Sequence, residues 1–87
     1  MEIRIGKVTH FYDRIHVAVL DLIAELQVGE TVHILGRSTD LTQSVRSLEI
    51  EHEKVQSAAA GSEVALKVIA PVRKGDTVYK VISEESG

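Results

Sequence analysis

The stretch Leu26-Gln27-Val28-Gly29-Glu30-Thr31-Val32-His33-Ile34-Leu35-Gly36 decides the fold. Gly29-Glu30 is turn chemistry, because glycine reaches positive φ without a Cβ penalty and a short acidic neighbour can hydrogen-bond its own backbone. Beyond it Val32 and Ile34 alternate with Thr31 and His33, and Gly36 ends the run. Alternation of period two places the apolar pair on one face, so a strand is predicted from Thr31 to Gly36.

Working outward, the same grammar recurs. Gly61-Ser62 and Gly75-Asp76 cut the chain into short segments, as a sandwich or barrel requires. Twelve Val, eight Ile and five Thr make 25 of the 87 residues β-branched, a side-chain type that suits a pleated surface. Further strands are predicted at Glu2 to Tyr12, Ile15 to Leu20, Leu41 to Ile50, Glu63 to Ile69 and Thr77 to Ile82. In the first, the phase slips at Gly6 so that Val8 follows Ile3 and Ile5, which predicts a bulge. Asp13-Arg14 predicts a tight reversal that would set His10 and His16 facing each other. Periodicity leaves two segments open: Ile15, Val19, Leu22, Ile23 and Leu26 also fit a helical stripe, as does the stretch from Ser47 to Ala60.

An 87-residue chain buries about 60–65% of its unfolded surface, enough for one modest core. We therefore expect one domain over residues 1–82, with the polar, acidic segment 83–87 as a frayed end. The absence of cysteine removes disulfides and thiol chemistry. The sequence holds no apolar run long enough to cross a membrane, and its first residues do not resemble a signal peptide, so a cytoplasmic protein is expected. The formal charge of −3 gives no overall basic footprint, and DNA is not an expected partner.

Candidate chemistry is sparse. His10, His16, His33 and His52 are the available transition-metal donors, but they lack metal-ligand spacing, so no metal or other cofactor is expected. Glu49, Glu51 and Glu53 would project from one strand face as a solvated row. No serine lies in a nucleophile elbow. Neither Gly6-Lys7 nor Gly36-Arg37 belongs to a phosphate loop, which excludes the usual nucleotide hydrolysis machinery and points away from an enzyme. The remaining signal is basic: Arg14, Arg37, Arg46, Arg73 and Lys74 lie in turns or near strand ends, where a barrel could gather several at one rim.

The stretch from Leu26 to Gly36, followed by Val45 and Ser47, Ala60-Gly61 before Val64 and Leu66, and Arg73-Lys74-Gly75-Asp76, resembles the second domain of elongation factor Tu. The resemblance runs from about Ile5 to Val81. It implies a small closed antiparallel barrel of about six strands, resolves both helical alternatives toward strand and loop, and suggests a stand-alone elongation factor-like protein. It also implies a non-enzymatic, translation-related module that contacts tRNA, rRNA or a ribosome. Arg14, Arg37, Arg46, Arg73 and Lys74 would then meet phosphates, with Glu49 and Tyr12 making polar or stacking contacts. Ser62 and His52 depart from that pattern, standing where the family has glutamate and arginine. A related barrel resembles the accessory domain at the end of some collagenase-like peptidases. The alternative function is a protein-interaction domain, acting through self-association or as accessory to a larger enzyme. Ala18, Leu20, Leu22 and Ile23, if partly outward, would supply its apolar patch.

Overall fold

The computed structural model describes residues 1–82; the segment 83–87, expected to fray, lies outside the described residues. The chain is all-β. Its strands are β1 (Glu2–Tyr12), β2 (Val17–Leu22), β3 (Leu26–Gln27), β4 (Thr31–Leu35), β5 (Asp40–Ser44), β6 (Leu48–Ile50), β7 (Glu53–Val55), β8 (Ser57–Ala58), β9 (Glu63–Lys67) and β10 (Thr77–Val81). Eight form one sheet in the order β5-β4-β10-β1-β2-β9-β6-β7, and β3 pairs with β8. Every ladder is antiparallel. No described helix is long and apolar enough to cross a membrane.

Alternation fills the interior. Ala18, Leu20 and Leu22 of β2, Val32 and Ile34 of β4, Val64 and Leu66 of β9 and Val78 of β10 are all buried. Each large aliphatic side chain so withdrawn contributes roughly 1.5–3 kcal/mol before the entropy of ordering is subtracted. Both segments that could have been helical are strands and turns. The patch anticipated on β2 is also corrected: Ala18, Leu20 and Leu22 face inward, and only Ile23 is exposed.

The bulge predicted near Gly6 is present, since the β1–β10 register shifts between Arg4 and Gly6. Ile5 and Gly6 are both buried there. A Cβ on Gly6 would run into the Asp21 carbonyl of β2, so glycine is needed for close approach.

The acidic residues after Gly29 and Gly75 complete two turns of the same design. Glu30 N–H donates to the Gln27 carbonyl and Asp76 N–H to that of Arg73. In return, the Gln27 N–H reaches Glu30 Oε1 at 2.7 Å and the Arg73 N–H reaches Asp76 Oδ2 at 2.8 Å. Gly29 and Gly75 occupy the third positions with φ of 98° and 94°, values that favour glycine.

The expected closed barrel of about six strands is corrected. No described ladder joins β5 back to the far side of the sheet. The predicted strand from Leu41 to Ile50 is instead two strands, because the chain bends through 45–47. Within that bend the Val45 N–H donates to the Glu30 carbonyl and its own carbonyl accepts from Gly29 N–H, each at 2.8 Å. The strand then resumes as β6 against β9. Gln43, nearly buried, stitches the resulting seam: Nε2 donates to the Lys67 carbonyl at 2.9 Å, and Oε1 accepts from the Ile69 N–H at 2.8 Å.

Candidate functional site

The outer face of β2, β9 and β6 forms a cleft of about 830 Å³. Its floor follows from register. Val17 and Val19 alternate with the inward residues of β2, while Glu63, Ala65 and Lys67 do the same on β9, pairing Val17 with Lys67 and Val19 with Ala65. Glu49 of β6 stands opposite Ala65 on the other side. The cleft is also lined by Tyr12 and Ile15 near the β1–β2 hairpin tip, and by Glu51, His52 and Ser62. Because β6 runs antiparallel to β9, the turn carrying Glu51 and His52 lies toward the Glu63 end. Lys67 is therefore at the Tyr12 and Ile15 end, and the Glu51 and Glu63 carboxylates lie at the other.

That turn is unusual. Glu51 and His52 have φ of 50° and 67°, so both central residues of a two-residue hairpin are left-handed where asparagine and glycine are favoured. Holding a non-glycine residue there costs roughly 1–2 kcal/mol, and two polar side chains are thereby set on the cleft rim. The ion pairs among the described residues are His33–Glu2, His33–Asp40 and Lys80–Glu30. None engages Lys67, Glu49, Glu51 or Glu63. A smaller pocket of about 380 Å³ adjoins the cleft, sharing Ser47 and Lys67 and adding Arg46.

The residues proposed for RNA contact are distributed as follows. Tyr12 and Glu49 line the cleft, and Arg46 lines the adjoining pocket. Arg37 lies between β4 and β5, and Arg73-Lys74 lie in the turn before β10. These turns touch, since a Cβ on Gly36 would strike the Asp76 carboxylate. Arg14 lies separately, in the turn between β1 and β2. Glu49, Glu51 and Glu53 do not form a row on one strand, because Glu51 occupies the turn between β6 and β7 and Glu53 pairs with Ile50. His10 pairs with Val19, and its ring lies 4.3 Å from that of Tyr12 rather than facing His16. No group of three or more His, Asp or Glu side chains among the described residues converges to hold a metal ion.

Sequence reasoning missed Val17, Val19, Ala65 and Lys67 as site residues. The available signal was that Val17-Ala18-Val19-Leu20 is apolar on both faces. A strand with only one buried face would alternate with polar residues, so such a run marks an outer face prepared for contact.

A second polar cluster lies away from the cleft. His33 Nδ1 meets Glu2 Oε1 at 2.9 Å and Nε2 meets Asp40 Oδ1 at 2.6 Å, so one imidazole bridges the start of β1 and the start of β5. The hydrogen bond with Glu2, then that with Asp40, raises the His33 pKa above its ordinary value, against the opposing effect of burial.

No family model matches the chain. It is 38% identical over 79 residues, 90% of its length, to an uncharacterized protease of Methanocaldococcus jannaschii, and spans about a fifth of that relative (19%). Among solved structures it is similar to the C-terminal domain of a Geobacillus thermoleovorans protein assigned to the U32 peptidases. The TM-score is 0.85 at 18% identity, covering 91% of this chain and 92% of that one. The selenomethionine variant of that domain gives a TM-score of 0.83 at 18% identity, covering 87% and 96%. The structural likenesses establish a shared fold. They correct the elongation factor-like reading, and with it the translation and RNA-binding roles, because the similarities found are to a protease and a peptidase domain. The physical reason is plain: the Gly29-Glu30 and Gly75-Asp76 motifs encode turn geometry, which a binding function does not own.

Proposed function

We infer that this chain is a non-catalytic module that holds polypeptide for a larger enzyme, one of the U32 peptidase kind. The observation that carries this reading is the cleft on β2, β9 and β6. Its volume falls in the range of ordinary ligand sites, and its apolar floor with a polar rim suits a chain of mixed side chains. Tyr12, 49% exposed, and Ile15, 59% exposed, add large apolar surface at one end. The kinship with a much longer protease supports an accessory role, in which hydrolysis belongs to residues outside this domain.

The test is binding of an unfolded, protease-resistant polypeptide to the purified domain, followed by fluorescence anisotropy. Val19→Glu places a charge on the floor without entering the core, so affinity should fall by about tenfold or more while the melting temperature stays nearly constant. Equal affinity in the variant, or hydrolysis of a cleavable substrate by the domain alone, refutes the reading.

A further inference from the structure

Outward residues of β9 follow the order acid, apolar, base: Glu63, Ala65 and Lys67, at strand spacing of two. From Glu63 to Lys67 is four residues, or about 13 Å of strand. Acidity at one end is reinforced by Glu51, and basicity at the other by Arg46 in the adjoining pocket, while Glu49 flanks Ala65 between them. Within the described residues none of these five charges has an ion-pair partner, since the three pairs present lie elsewhere. The cleft is therefore bipolar along β9, with the apolar floor of Val19 and Ala65 between its ends.

We propose that the cleft selects an extended segment of another polypeptide bearing a basic side chain, an apolar side chain and a carboxylate at positions i, i+2 and i+4. The argument is complementarity of charge at matching pitch. In an extended peptide these three side chains project from the same face. The basic one meets Glu63 and Glu51, the apolar one meets Val19 and Ala65, and the carboxylate meets Lys67. Glu63 and Lys67 would also complement an antiparallel second copy. A concave cleft is nevertheless filled by a single protruding strand, whereas two facing clefts leave a void between them.

This inference rests on the polypeptide-binding reading above, and its probe is a capped pentapeptide with lysine first, valine third, glutamate fifth and serine between them. Calorimetry at low ionic strength compares it with a lysine-valine-lysine peptide at the same spacing and with one whose glutamate is moved to the fourth position. Lys67→Glu should weaken the first peptide by about threefold or more and strengthen the di-lysine peptide by a similar factor, as expected for partly exposed charges. Moving the glutamate turns it to the opposite face and should weaken binding to the unmodified domain. Indifference to either change overturns the charge register. If Val19→Glu still abolishes polypeptide binding in that case, the reading of the previous section stands while this one falls. If no polypeptide binds, both fall. A stable dimer in sedimentation that Lys67→Glu dissociates would replace the peptide by a second copy and overturn the proposal.

Discussion

At Gly75, φ of 94° is the whole reason for glycine, since no atom stands within 4 Å of where a Cβ would be. Gly75→Ala should cost about 1 kcal/mol, the penalty of a left-handed alanine, and lower the melting temperature by several degrees. At Gly6 the reason is contact with the Asp21 carbonyl, and backbone cannot step aside as a side chain can. Gly6→Ala should therefore cost about 3 kcal/mol or more. Urea denaturation of the two variants would check the order, which reverses if left-handed strain is the larger penalty. His33 makes a prediction of a different kind. Its pKa is raised in the folded state, so its carboxylate contacts contribute fully below the unfolded value near 6.5 and are lost as pH rises through the folded value. Between pH 6 and 8 the bridge should account for a fall in melting temperature of about 1–4 °C, reduced by salt and absent in His33→Gln. A thermal melt series across that range reads the effect directly.

Among the elements, the seam between β5 and β9 depends on one side chain. Gln43→Leu keeps the approximate volume and removes both hydrogen bonds, leaving the Ile69 N–H and the Lys67 carbonyl without that partner. A cost of about 1–3 kcal/mol is expected, together with faster hydrogen exchange at the Ile69 amide. Unchanged exchange there would show that the stitch contributes little. The major strands were legible because alternation at Val32 and Ile34, or Val64 and Leu66, needs no tertiary information. The short strands β3, β7 and β8 were not, because two or three residues give no period and their pairing depends on where the chain is led by distant turns. For the same reason the break at 45–47 was hidden: Val45 is bonded to Gly29 and Glu30, fifteen and more positions away. Tyr12 and Glu49, the two residues to which the sequence assigns polar or stacking contacts, both line the cleft. Its floor was overlooked because the outward valines of β2 look the same in sequence as inward ones.

For the molecule as a whole, a small set of turns and inward aliphatics specifies the architecture, while the outer face of three strands supplies what distinguishes it chemically. Four-step spacing along β9 and the paired hairpins at either end give that face a direction. The Gln43 stitch has a consequence beyond stability. A bare strand margin offers a row of unpaired amides and carbonyls on which another chain can grow a further strand. By turning its side-chain amide onto the backbone of Lys67 and Ile69, Gln43 occupies the ground where such growth would begin. The seam thus leaves the Lys67 carbonyl and the Ile69 N–H already paired, so neither is open to an incoming strand.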